Sequence, residues 1–408
     1  MDRASNPYTP HAGADPEVLA GRAELLDGFR VLLRRLQRGR AEPSMLLTGL
    51  RGVGKTVLLA RFAEIARAEK WEPVELEAAK CDDGRFRQAV FTHFKAALLR
   101  LAPRPRWTER DRIAAEVLTA FAEQIELACA FGVAWDVRAA EGAGDSGDLE
   151  MDLADVFVAI GEAARMHQRG VVLLIDEAQF LSRTQLEALV HAVHATTQRH
   201  LPITWVGAGL PHLPELAGEA RSYADRLFSF PSIGALAPDD ARAALTEPAL
   251  AEGVAFEDAA VQRALDITGG YPCFIQELGA QTWSVAEGDL VRCADVELAH
   301  DAYDARLDSW FFRVRLERAT PLQTAYLRAM AELGPEPQKA ADVARLMGRE
   351  STQVGPIRAE LIDLGLLYAP EHGYAAFTAP DFDRFIMRVV PELRVPEIQR
   401  RGPRVTAN

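Results

Sequence analysis

Along the first half of the chain, short apolar runs alternate with stretches in which apolar positions recur every three or four residues. From about Glu24 to Arg38, Leu25, Leu26, Phe29, Leu32, Leu33 and Leu36 share one helical face. Arg30, Arg34, Arg35 and Arg38 share the other, the pattern of a solvated helix side. The run Ser44-Met-Leu-Leu-Thr48 breaks at a glycine-rich loop and continues into helical periodicity over 57–70. Residues 71–80 predict a second strand, and 85–101 and 109–131 two helices inserted before the next strand. Another helix is predicted over 150–168. The run Gly170-Val-Val-Leu-Leu-Ile175 and, after a helix near 183–199, the run Ile203–Gly207 complete the series. Uninterrupted apolar strands alternating with helices predict an α/β fold whose mostly parallel sheet is covered on both faces. The segment Glu141–Asp148 is polar and glycine-rich and predicts a flexible loop within that unit.

From Pro238 to Leu316 the pattern is all helical, and Thr320-Pro321 opens a third segment. There, helices over 321–333, 339–347 and 352–364 precede short apolar runs at 366–369 and 374–378, which flank the turn Pro370-Glu-His-Gly373. Ser351 is placed to cap the third helix. Three helices and a hairpin predict a winged-helix module. The expected organisation is an extended arm over 1–20, an α/β core over 21–235, a helical lid over 236–316, the winged helix over 317–390 and a flexible tail over 391–408.

Composition narrows the class. The chain has 408 residues, of which 49% are hydrophobic and 26% charged, the balance of a globular protein long enough for two or three cores. A net charge of −13 repels phosphate backbones, so any nucleic-acid contact requires a local basic surface. Cys81, Cys129, Cys273 and Cys293 are too scattered for a zinc site or a disulfide framework and read as reduced core thiols. No stretch has the roughly 18 uncharged apolar residues of a membrane span, and the first residues lack the apolar run of a secretion signal. The expected location is cytoplasmic, with no membrane partner.

The chemistry concentrates in two places. Gly49-Leu-Arg-Gly-Val-Gly-Lys-Thr56 fits the Walker A pattern, with a strand before it and a helix after it. Gly52 and Gly54 let the backbone N–H groups of the loop, Val53 included, converge on phosphates, aided by the positive end of the helix that runs on through Val57. Lys55 meets the β- and γ-phosphates, and the Thr56 hydroxyl suits Mg²⁺, which prefers hard oxygen ligands. Asp176 and Glu177 end an apolar strand at the carboxyl edge of the sheet, where open α/β folds hold ligands. Asp176 would hold Mg²⁺ and Glu177 would orient and deprotonate the attacking water. A plain glycine turn and an acidic pair capping the following helix are the structural alternatives.

Together with Gly21-Arg22-Ala-Glu24-Leu25 upstream, these motifs resemble the AAA+ ATPases of the replication-initiator and STAND branches. The resemblance implies a P-loop ATPase core with ATP and Mg²⁺ as cofactors, and gives Gly21 and Arg22 a supporting role around the base. It makes Arg226, in Tyr223-Ala-Asp-Arg226, an arginine-finger candidate, with a structural ion pair or a cis contact as the alternative. Two departures stand out. Gly207-Ala-Gly209-Leu-Pro211 lacks the polar residue that many AAA+ enzymes carry at this strand end. Gly269-Gly-Tyr-Pro272 in the lid is similar to the glycine-x-proline element of STAND proteins, which would pack Pro272 near the adenine. Both imply slow turnover and a nucleotide-controlled switch.

The partner expectations follow. An initiator-like protein would bind ATP or ADP, assemble as a homo-oligomer and engage double-stranded DNA through the winged helix. Thr352, Gln353 and Arg358 would face the groove, Arg349 and tail residues Arg394, Arg400, Arg401 and Arg404 would reach phosphates, and Glu360 and Asp363 would oppose them. The alternatives are a STAND-type signalling or defence regulator that contacts an unknown protein partner without DNA, and a transposition-type targeting ATPase.

Overall fold

The computed structural model of the chain describes residues 1–11, 13–124 and 137–396. They fall into two compact units, Met1–Val296 and Glu297–Asn408.

The first unit is built on a five-stranded sheet. Its strands are β1 (Ser44–Thr48), β2 (Trp71–Glu77), β3 (Gly170–Asp176), β4 (Ile203–Gly209) and the short β5 (Phe228–Ser229). They lie in the order β2-β3-β4-β1-β5, all parallel, with Val74 beside Leu173, Val171 beside Ile203 and Leu46 beside Gly207. Every residue from Gly170 to Ile175 is buried, as expected of a strand covered on both faces. The helices are α1 (Ala23–Gln37), α2 (Lys55–Ala68), α3 (Asp83–Leu101), α4 (Glu109–Glu123), α5 (Leu149–Met166), α6 (Arg183–Gln198), α7 (Leu213–Ala220) and the single turn α8 (Ala224–Leu227). Val171, Leu173, Ile175 and Trp205 of the sheet pack into one apolar cluster with Phe94 of α3, Phe121 of α4, Phe157 of α5 and Leu189 of α6. Phe29 of α1 stacks on Phe62 of α2, with ring centroids 4.2 Å apart.

The inserted helices are thus part of the core. Buried Arg87 of α3 pairs with fully buried Asp152 of α5 at 2.8 Å, and Asp152 also accepts from the Ser146 hydroxyl at 2.6 Å and the Ser146 N–H at 2.9 Å. Gly144 donates to Asp155 at 3.0 Å. The Glu141–Asp148 loop, read from its composition as flexible, is therefore pinned by α5 carboxylates. The end of the second inserted helix, 125–131, lies outside the described residues, as does Cys129. Cys81, Cys273 and Cys293 form no disulfide among the described residues and are only half-buried, which corrects their reading as core thiols.

Beyond the sheet follow α9 (Pro238–Ala251), β6 (Ala255–Phe256), α10 (Asp258–Thr268), α11 (Pro272–Val285), β7 (Leu290–Val291) and α12 (Cys293–Arg306). β6 and β7 form a two-stranded parallel pair that the helical pattern did not reveal. The chain before α1 runs along these helices. Tyr8 is buried and donates its hydroxyl to the Leu245 carbonyl at 2.5 Å. Asn6 donates to Ala280 at 3.2 Å, and the Thr9 N–H donates to Gln276 at 2.9 Å.

The division between units falls inside α12, so residues 297–316, expected in the lid, go with the C-terminal unit. After α12 come a π-helical turn (Leu307–Arg313) and α13 (Val314–Leu316), then α14 (Pro321–Leu333), β8 (Gln338–Lys339), α15 (Ala340–Leu346), α16 (Ser351–Asp363), β9 (Leu367–Tyr368), β10 (Tyr374–Phe377) and α17 (Phe382–Val389). The strands form an antiparallel sheet in the order β8-β10-β9. Phe312, Phe382 and Phe385 stack in its core. Among the described residues no helix is long and apolar enough to cross a membrane.

Candidate active site

The loop between β1 and α2 is shaped by its glycines. A Cβ on Gly49 would lie 2.3 Å from the Ile233 carbonyl. Gly52 and Gly54 have φ of +83° and +91°, the left-handed region that glycine enters freely. They turn the backbone onto the N-terminus of α2, where Val53 and Lys55 are buried and Val57 is half-buried. Within this loop the Lys55 ammonium donates to the carbonyls of Gly49 at 2.9 Å and Leu50 at 2.8 Å. Burial pushes its pKa down to about 8; the Glu177 and Asp176 carboxylates pull the other way, and Arg51 adds to the fall. An amine held by main-chain carbonyls in a cradle of N–H groups is poised to exchange them for phosphate oxygens.

Across the sheet, Asp176 at the end of β3 accepts from the Thr56 hydroxyl at 2.5 Å. Two hard oxygens therefore converge beside the loop, a donor pair that fits Mg²⁺. Glu177 follows with φ of +51°, an uncommon conformation for a residue other than glycine. It is over-determined by its contacts. Arg51 of the loop pairs with Glu177 Oε1 at 3.0 Å, both residues being about four-fifths buried, and Gln179 Nε2 donates to Oε2. The motifs gave no sign of Arg51 or Gln179. Arg51 occupies a variable position of the Walker pattern, and Gln179 needs the three-dimensional turn Ala178–Phe180 to fold back.

The lid meets the loop directly. Tyr271 donates its hydroxyl to the Arg51 carbonyl, and the Cys273 N–H donates to the Gly52 carbonyl at 3.2 Å. A Cβ on Gly52 would lie 2.5 Å from Cys273 Sγ. Pro272 occupies the first turn of α11 between them, where a missing N–H costs nothing. Arg22 is buried and donates to the carbonyls of Gly234 at 2.8 Å and Val53 at 3.5 Å, tying the loop to the segment that enters the lid. Gly21, with φ of +68°, leaves room for Asp240, which a Cβ would meet at 2.8 Å. Arg226 is elsewhere. It is exposed on α8 and makes no ion pair among the described residues, so the structural ion pair weighed for it is not found.

A parallel sheet in this order, a glycine loop feeding a helix and an acidic pair at the end of β3, separated from β1 by β4, define a P-loop NTPase. Residues 18–206 match the family model of the AAA ATPase domain, and residues 309–386 match a model described as a domain of unknown function. Residues 18–206 are thus an AAA ATPase domain of the P-loop type. Among solved structures the chain is similar to the Walker-type ATPase PABY2304 of Pyrococcus abyssi, at 14% identity over 91% of this chain and 97% of that one, with a TM-score of 0.56. It is also similar to Cdc6p from Pyrobaculum aerophilum, at 16% identity over 97% of this chain and 99% of that chain, TM-score 0.47. A third is the Aeropyrum pernix Orc1 protein, solved in complex with DNA, at 16% identity over 95% of this chain and 96% of that chain, TM-score 0.43. At 14% identity the likeness to PABY2304 shows the fold alone. No curated protein matches the chain in sequence.

Proposed function

We propose that the chain is a slowly hydrolysing, ATP-controlled switch in which the nucleotide on the P-loop sets the position of the helical lid. The observation that carries this reading is the pair of lid contacts at Tyr271 and Cys273, which fall on the backbone of Arg51 and Gly52, within the loop that cradles phosphate. Phosphates on the loop N–H groups would compete for the same few residues, so occupancy of the loop and seating of the lid are energetically linked. In this reading Lys55, with Gly52, Val53 and Gly54, holds the phosphates, Thr56 and Asp176 hold Mg²⁺, and Glu177 activates water. Mg²⁺ supplies charge neutralisation on the phosphates. Pro272 lies beside the base, and Arg226, exposed and unpaired, is available to a neighbouring subunit.

The test is amide hydrogen exchange over 269–276 in the full chain without nucleotide, with ADP and with ATP. The switch predicts exchange that differs between ADP and ATP and loses the difference in Lys55→Ala. Identical exchange in all three states, with hydrolysis intact, would leave an ATPase whose lid does not report.

For the C-terminal unit we infer a winged helix, from the order helix, strand, two helices, hairpin and its three-stranded antiparallel sheet. Its α16 favours contact with protein over DNA. Arg358 donates to the Tyr374 carbonyl within the unit, Arg349 donates to the Pro396 carbonyl at 2.5 Å, and the Gln353 amide oxygen accepts from the Glu350 N–H at 3.1 Å. The exposed positions of α16 that remain, Ser351, Thr352, Gly355, Pro356 and Ala359, carry no cation, while Glu360 and Asp363 are exposed as well. Phosphate and base contacts need the opposite. The signalling-type regulator is therefore preferred to the DNA-engaging initiator.

A further inference from the structure

Glu177 sits on a backbone that does not hold it by default, and the end of β4, which faces it, has no polar side chain of its own. Residues Gly207-Ala-Gly209 finish that strand, and all three are buried. The physical reason for glycine at 209 is on the neighbouring turn. A Cβ there would come within 2.8 Å of Gln179 Oε1 and 3.1 Å of Leu213 Cδ2. The Gln179 side chain lies over the strand end, and its Oε1 accepts from the Leu210 N–H at 3.1 Å. The same amide donates Nε2 to Glu177 Oε2. Only one orientation of the amide serves both partners, because an N–H needs the oxygen and a carboxylate needs the NH₂. The strand end is in turn fastened to the phosphate loop, where the Gly49 N–H donates to the Gly209 carbonyl at 3.1 Å. A continuous path thus runs from the loop through the end of β4 and the Gln179 amide to the carboxylate.

We propose that Gln179 is a positioning residue for ATP hydrolysis, orienting Glu177 from the end of β4, and that Gly209 lacks a side chain in order to admit it. The proposal rests on the reading of Glu177 as the group that activates water. A carboxylate in the left-handed backbone region keeps a single aim only if its contacts hold it. Arg51 holds Oε1 and Gln179 holds Oε2, but Arg51 belongs to the phosphate loop and is exchangeable for a phosphate partner, whereas Gln179 is anchored on the main-chain N–H of Leu210, immediately after β4. The glutamine therefore keeps the aim when nucleotide draws Arg51 away. Losing it misdirects the base without touching nucleotide affinity, and misorientation of a reacting group by an ångström costs about 10²-fold in rate.

The experiment is steady-state ATP hydrolysis by the full chain, with nucleotide affinity measured separately by fluorescent-nucleotide titration. Gln179→Ala is expected to lower kcat by about 10²-fold with KM and affinity unchanged. Gly209→Ala, which removes no functional group, is expected to give the same loss. The double variant Gln179→Ala/Gly209→Ala is expected to be no slower than Gln179→Ala alone, because a shorter residue at 179 leaves room for the added methyl. Gln179→Glu keeps the acceptor for Leu210 and puts a second carboxylate against Glu177, so it should act like Gln179→Ala near neutral pH and recover as the pH falls.

A wild-type kcat in Gly209→Ala, multiplicative losses in the double variant, or a fall in affinity in place of kcat would overturn the positioning role. Glu177→Gln separates the two layers. If it abolishes hydrolysis while Gln179→Ala turns over normally, only the role of Gln179 fails. Hydrolysis that survives in Glu177→Gln removes the base itself, and both readings fail together.

Discussion

At the scale of single residues, Lys55 makes the most quantitative statement. Its ammonium is buried against main-chain carbonyls, and burial lowers its pKa from 10.5 to about 8. A lowered lysine means that the free protein disfavours the charged form. This penalty is complete below pH 8 and is relieved as pH rises from about 8 towards 10.5, because over that window the unfolded chain binds the extra proton. In the proposed binding mode phosphates would reverse the balance by supplying the negative charge that the carbonyls lack. At pH 8, where the free site is half-protonated, binding of ADP should take up about half a proton per site. Isothermal calorimetry in two buffers of different ionisation enthalpy measures that uptake directly. Binding with no proton uptake at pH 8, or the same uptake in Lys55→Ala, would contradict the assignment. Lys55, Thr56, Asp176 and Glu177 were legible in the sequence because chemistry fixes their spacing along one loop and one strand end. Their holders were not. Arg51 meets Glu177 across 126 positions, and Arg87 meets Asp152 across 65. No local periodicity encodes such pairs, so neither was anticipated, and a pinned loop was read as flexible.

At the scale of elements, strands and helices of the core followed from periodicity nearly to the residue, since each buries one continuous face. Segments without periodicity were the ones whose contacts stayed hidden. The chain before α1, rich in proline and glycine, reads as an extended arm, and the pattern does not reveal what it packs on. It is fastened to α9 and α11 by one aromatic ring and a few hydrogen bonds, while Asp15 pairs with Arg61 of α2 at 2.7 Å. Tyr8 is the chief anchor. Its ring lies where a Cβ on Gly279 of α11 would sit 2.6 Å away, and its hydroxyl satisfies the Leu245 carbonyl in α9. Tyr8→Ala should cost about 3 kcal/mol, the usual range for removing a buried aromatic side chain, and Tyr8→Phe about 1 kcal/mol for the lost hydrogen bond. Urea unfolding of the full chain, followed by a probe in the N-terminal unit, distinguishes these. A loss below about 0.5 kcal/mol in Tyr8→Ala, the level of an ordinary surface change, would show that the segment is not a structural strap.

At the scale of the whole molecule, the chain is an ATPase unit followed by a smaller unit with its own aromatic core, and composition anticipated that division better than its position. The boundary inside α12 is invisible in the sequence, because the helix continues through it without a break in pattern. What the second unit touches is decided by charge. The net charge of −13 sets a repulsive field towards a phosphate backbone. Only a concentrated basic face overcomes such a field, and the exposed residues of α16 do not provide one. Arg400, Arg401 and Arg404 lie outside the described residues, so their contribution is separated by comparing the full chain with one ending at Pro396. Fluorescence anisotropy with a double-stranded oligonucleotide, at two salt concentrations and with ATP, ADP or neither, is expected to show no micromolar binding by the shorter chain in any state. Binding by both chains that weakens steeply with salt would restore the DNA-engaging reading, since such a slope counts the phosphates neutralised. Binding by the full chain alone would place the contact in the tail and leave α16 free for a protein.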